Sequence, residues 1–170
     1  EVRSAFAIAN QAMLLQMYHG KDELGGTTHS VDEDVPLPSS INDIVRDATW
    51  YPFQLAFLLL VIPSLNDPEN PDRELVDLIW FPTGGGKTEA YLAASAFEIT
   101  LRRMRNTRNG GGTSVISRYT LRLLTAQQFQ RTAGLACALE LLRRNGVEEL
   151  SGDSITVGLW VGDGETPNSL

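Results

Sequence analysis

The chain has 170 residues, 42% hydrophobic and 21% charged, which is enough for one domain with its own core. Its longest unbroken apolar run, 55–62, has eight residues where a bilayer span needs about 20, and nothing at the start reads as an export signal, so the expectation is no membrane partner. Net charge is −7, which argues against a uniformly basic nucleic-acid binder, and the single cysteine, Cys137, cannot pair within the chain.

Taken in order, residues 3–19 read as an amphipathic helix with Phe6, Ala9, Met13 and Met17 at helical spacing on a core face, stopped by Gly20. A polar, acidic loop follows over 21–40, so residues 1–48 form an N-terminal helical extension and 49–170 the main domain. Helical pattern resumes near Ser40, breaks at Pro52 as at the first turn of a new helix, and ends near Ile62, where Pro63, Pro68 and Pro71 mark a loop. The rhythm then changes. Leu75–Phe81, Thr113–Arg118 and Ile155–Val161 read as buried strands, alternating with helices over Lys87–Arg105 and Leu121–Arg144, the second closed by Asn145-Gly146. This order predicts an α/β fold, a parallel sheet covered by helices, small enough with three strands to be part of a longer protein. Cys137 lies in the apolar pattern of the last helix and reads as a reduced, buried thiol of a cytoplasmic protein.

The strongest chemical signal lies between the first strand and the helix that follows, Phe81-Pro82-Thr83-Gly84-Gly85-Gly86-Lys87-Thr88-Glu89. Glycines let backbone N–H groups turn inward around phosphates, and a helix start adds unpaired N–H groups and the positive end of its dipole. Thr83, Gly84, Gly85 and Gly86 would cradle the anion, Lys87 would reach the β- and γ-phosphates, and the Thr88 hydroxyl would ligate Mg²⁺. The Walker pattern has glycine where this chain has Phe81, and Pro-Thr-Gly-x-Gly-Lys-Thr with a non-glycine start resembles motif I of superfamily 2 helicases. That resemblance implies ATP and Mg²⁺ as cofactors and a P-loop NTPase, RecA-like sheet that is incomplete in this chain. Glu89 reads equally as a dipole-favoured surface residue or as a neighbour of the metal.

Three further stretches gain meaning beside that loop. Trp50-Tyr51-Pro52-Phe53-Gln54 resembles the Q motif of the superfamily, in which a glutamine amide pairs with adenine and a ring stacks on the base; the alternative is an aromatic helix start with an incidental Gln54. Arg118-Tyr119-Thr120-Leu121-Arg122 through Gln127 resembles motif Ia, which implies phosphate contacts to a nucleic-acid strand from Arg118, Thr120, Arg122 and Gln127; the alternative is a basic strand–helix corner. Gly162 ends the third strand, as in the glycine motif of the same proteins or in any turn, and Thr166-Pro167 resembles their motif Ib but follows very closely. From 101 to 145 there are nine arginines and one acid, a local +8, while the remainder carries five basic and twenty acidic residues. Such asymmetry suits a polyanion-facing segment or a solvated basic face. His19 and His29 have no metal-ligand spacing around them.

AMLLQ, PFQLAFLLL, LIWFPTGGGKTEAYL, RYTLRLLTAQQFQR and GLWVG…TPN together resemble the large helicase-like subunit of DISARM anti-phage systems, the DrmA type, over about residues 5–170. The resemblance implies an ATP-dependent helicase or translocase acting on nucleic acid, with DNA favoured, among the protein subunits of a defence complex. No Asp-Glu pair follows the third strand within this chain, so this piece alone is expected to hydrolyse ATP poorly. The competing reading is a P-loop switch or interaction module without motor activity.

Overall fold

Among the described residues four helices carry the core. The computed structural model describes residues 1–19, 48–82, 84–106, 110–119 and 122–160, with 122–126 described by their backbone. Helix α1 is Val2–His19, α2 Pro52–Asn66, α3 Lys87–Arg105 and α4 Arg122–Arg144, with 3₁₀ turns at Pro71–Glu74 and Glu148–Leu150. The segment 20–47, Thr83, 107–109, Thr120, Leu121 and 161–170 lie outside the described residues, and with them the acidic loop, Gly162 and Thr166-Pro167.

Helix α3 is central: α1 and α2 pack against it, and α1 also packs against α4. Small residues let the axes approach. Ala5, Ala9 and Ala12 of α1 and Ala90, Ala93 and Ala96 of α3 are all buried, with Phe97, Leu101, Leu15, Leu58, Leu135, Leu139 and Leu142 filling the space between helices. Polar ties fix the arrangement. Gln16 donates from Nε2 to the Arg131 carbonyl (2.8 Å), and Trp50 donates from Nε1 to Asn10 Oδ1 (2.8 Å), holding the entry to α2 against α1. Pro52 occupies the first turn of α2, where its missing N–H costs nothing. That helix continues through Pro63 to Asn66 and so outruns the sequence expectation. Pro63 cannot donate to the Leu59 carbonyl, and Leu59 is exposed, so solvent can take up the loss. Gly146, at φ +84, closes α4, and the Val147 N–H returns to the Leu142 carbonyl.

The expected sheet is not there. Among the described residues there is no strand and no ladder, so the α/β, RecA-like parallel-sheet expectation is corrected to a helical architecture. The described parts of the three apolar runs form no ladder, and several of their large side chains face outward: Val76 is 95% exposed, Trp80 88%, Ile116 87% and Trp160 99%, while Ile155 packs against the helical core. An apolar run becomes a strand only when a neighbour supplies alternating N–H and C=O partners, and helix-to-helix packing has taken the core instead.

Two smaller expectations also change. Cys137 is exposed, because the buried positions of α4, Leu135, Ala138, Leu139 and Leu142, define a stripe that excludes it. Met17, in the last turn of α1, is 44% exposed, whereas Met13 is buried. No helix among the described residues is long and apolar enough to cross a membrane.

Candidate functional site

The glycine loop leads directly into α3. The Gly85 N–H bonds the Pro82 carbonyl (3.2 Å), closing a tight turn, and Gly84 and Gly86 both adopt positive φ, +82 and +83. Gly86 is the N-cap of α3 and supplies no side-chain acceptor, so the first-turn N–H groups have no side-chain cap from that position. A Cβ on Gly84 would meet nothing within 4 Å, whereas one on Gly86 would stand 2.7 Å from Gln54 Nε2. Positive φ at both positions and crowding at Gly86 explain why the loop uses glycine there.

Lys87 is half-buried and turns back over the loop, donating from Nζ to the carbonyl oxygens of Phe81 (2.5 Å) and Pro82 (2.9 Å). Thr88 is buried at 8% exposure, and its Oγ1 lies 3.0 Å from the Tyr91 hydroxyl. Glu89 pairs through Oε1 with Arg131 of α4, while its Oε2 is buried without a hydrogen-bond partner among the described residues. Uncapped N–H donors, a mobile-length ammonium, a hydroxyl and an orphaned carboxylate oxygen at one helix start form a donor and acceptor set that fits a phosphate with its divalent cation.

The aromatic stretch before α2 joins the same place. Phe81, the residue that departs from the glycine pattern, stacks on Phe53 with ring centroids 4.0 Å apart, and Phe53 lies 6.3 Å from Tyr51 in near-parallel orientation. Gln54 is 3% exposed; its Oε1 accepts from the Tyr51 N–H (2.9 Å) and its Nε2 donates to the Gly86 carbonyl (2.7 Å). One amide thus caps α2 and holds the glycine loop. It retains one N–H and one lone pair, the combination an adenine edge requires.

The arginine-rich segment looks different in three dimensions. Arg102 donates to the carbonyls of Gly111 and Thr113, Arg103 to those of Leu150 and Ser151, and Arg105 to Asn66 and Glu1. Arg131 pairs with Glu89, and Arg143 and Arg144 with Glu140. Six of the nine arginines therefore serve the fold, and a count of charge could not reveal their acceptors. Arg143 holds the Glu140 carboxyl at about 2, against the opposing effect of burial and with help from the Ile155 N–H. Burial, and then neighbouring Arg143, lower the pKa of Arg103. Arg118 is exposed, as is Gln127. Thr83, Thr120 and Gly162 and the side chain of Arg122 lie outside the described residues.

Sequence reasoning missed Tyr91, Gln128 and Arg131. Tyr91 lies three residues after Thr88, one turn along the same face of α3, and that spacing was the available signal. Its partner Gln128 (3.4 Å) comes from another helix and carries no local signature.

A glycine turn feeding a helix start without a side-chain cap, with Lys87 and Thr88 beside it, is a geometry that suits an anion. The chain is similar to the DISARM protein DrmA of Bacillus paralicheniformis, 45% identical over 126 residues, which is 71% of this chain and 11% of that relative. The chain thus spans about a tenth of the length of the curated relative it matches. No protein-family model matches it.

Proposed function

We propose that this chain is the nucleoside-triphosphate-binding part of a DrmA-like protein, and that the full-length protein is an ATP-dependent, superfamily 2 helicase-type DNA motor in DISARM defence. The observation that carries the reading is the loop 81–88: two glycines at positive φ lead into an α3 start without a side-chain cap, with Lys87 and Thr88 beside it. The relationship to DrmA supports the defence assignment.

In this reading the Gly84–Gly86 backbone and first-turn N–H groups hold the β- and γ-phosphates. Lys87 exchanges its two carbonyl acceptors for phosphate oxygens, which is favourable because a charged acceptor binds an ammonium more strongly than a neutral carbonyl. Thr88 offers a lone pair to Mg²⁺, and the cation supplies charge neutralisation for the transferred phosphoryl group when bound. Tyr51 or Phe53 stacks on the adenine, and Gln54 reads its edge with the amide atoms left over from the cap. Arg118 is an exposed basic residue open to a nucleic-acid backbone, with Thr120, Arg122 and Gln127 beside it in sequence and Gly162 further along the chain.

The test is DNA-stimulated ATP hydrolysis by the full-length protein and its Lys87→Ala variant. The proposal expects turnover that requires Mg²⁺, rises with single-stranded DNA and disappears in the variant. Nucleotide binding with no turnover and no response to DNA would instead identify a nucleotide-switch or interaction module.

A further inference from the structure

Among the described residues Thr88 Oγ1 is hydrogen-bonded to Tyr91, which has further partners. The Tyr91 hydroxyl lies 3.0 Å from Thr88 Oγ1 and 3.4 Å from Gln128 Oε1 of α4. A phenol has one proton and two lone pairs, so it cannot donate to both oxygens at once. A glutamine Oε1 only accepts. The one assignment that satisfies both contacts has Tyr91 donating to Gln128 and Thr88 donating to Tyr91. Tyr119 also bonds to Tyr91, and its hydroxyl keeps its proton, with its pKa pushed up to about 12 by burial first and by Tyr91 second. It therefore fills the second lone pair of Tyr91 as a donor.

The direction of these bonds matters for the metal. A threonine oxygen can ligate a cation only if its proton points away from the ion and into another acceptor. With the Thr88 proton committed to Tyr91, both Thr88 lone pairs are free. We propose that Tyr91 is a positioning residue that orients the Thr88 hydroxyl for a divalent cation, and that Gln128 of α4 enforces that orientation by taking the Tyr91 proton. The inference rests on the phosphate-site reading above and adds to it a path from the cation to two other places. One is α4, through Gln128, and the other is the residue beside Arg118, through Tyr119. The Glu89–Arg131 ion pair joins the same first turn of α3 to α4 one turn beyond Gln128, so the two helices meet through two polar contacts.

The experiment measures binding of a fluorescent ATP analogue by the full-length protein as Mg²⁺ is titrated, for wild type, Tyr91→Phe, Gln128→Ala and Lys87→Ala. Tyr91→Phe keeps the ring and removes only the hydroxyl, so folding should be retained and thermal unfolding checks it. The expected result is a Mg²⁺ midpoint raised about fivefold in Tyr91→Phe, the loss of one neutral hydrogen bond, with Mg²⁺-free nucleotide affinity within about twofold of wild type. Gln128→Ala should move the midpoint the same way by less. An unchanged Mg²⁺ midpoint in Tyr91→Phe, or equal losses with and without Mg²⁺, overturns the positioning role and leaves the phosphate site standing if Lys87→Ala still abolishes binding. Wild-type binding by Lys87→Ala overturns both.

Discussion

Gly86→Ala tests the joint between the glycine loop and the start of α2. At φ +83 an alanine suffers the left-handed penalty, about 1–2 kcal/mol. Its Cβ would also stand 2.7 Å from Gln54 Nε2, so the amide must leave. Departure breaks the bonds to the Gly86 carbonyl and from the Tyr51 N–H, each worth about 1 kcal/mol. The total is about 3–4 kcal/mol, which for a chain of this size lowers the unfolding midpoint by about 6–16 °C. Gln54→Ala removes the obstacle in advance. In that background Gly86→Ala should cost only its backbone part, so the double-mutant cycle should show a coupling of about 2 kcal/mol, that of the two bonds. Thermal or urea unfolding of the four proteins measures it. Additive effects, or a Gly86→Ala protein as stable as wild type, would refute the proposed joint.

Other consequences follow from single contacts. Glu140 has a folded pKa of about 2, below its unfolded value, so it contributes stability above about pH 4.5 that is lost as pH falls through that value toward 2. Glu140→Gln should lower the free energy of unfolding in urea at pH 7 by about 3 kcal/mol and flatten the decline between pH 5 and pH 2; parallel wild-type and variant profiles would contradict this. Arg103→Met removes the donor that Leu150 and Ser151 share and should destabilise by about 2–4 kcal/mol in urea unfolding, whereas loss below about 0.5 kcal/mol would mean that solvent replaces it. Arg118→Ala in the full-length protein should weaken binding to single-stranded DNA and reduce the salt slope by roughly one counterion, measured by salt titration; an unchanged slope would remove Arg118 from the interface.

The helices were legible because their signals are local. Pro52 marks the start of α2, Gly146 the end of α4, and the apolar spacing of 87–105 gives the range of α3 without error. Pairing of strands is not local. Leu75–Phe81 has the composition of a buried strand, but composition says nothing about where a neighbouring ladder is, and among the described residues none is supplied. Cys137 was misplaced by hydrophobicity without phase: the stripe Leu135, Ala138, Leu139, Leu142 places it outside the core. The arginine cluster shows a different limit. Charge was visible, but the acceptors of Arg102 and Arg103 are backbone carbonyls, which no side-chain pattern announces. The glycine loop was legible because each residue type has a backbone reason to be there, and Phe81 acquires its reason from Phe53, 28 residues earlier.

The central claim, that residues 84–88 hold the phosphates of a nucleoside triphosphate, is tested most directly by equilibrium competition at the full-length protein. A fluorescent ATP analogue is displaced with ATP, ADP and adenosine in the presence of Mg²⁺, for wild type and Lys87→Ala. The account predicts displacement in the order ATP, ADP, adenosine for wild type, and loss of analogue binding in Lys87→Ala with its thermal stability preserved, because the Lys87 ammonium bonds loop carbonyls and lies outside the helix-packed core. Equal displacement by adenosine and ATP, or unaltered binding by Lys87→Ala, would contradict it.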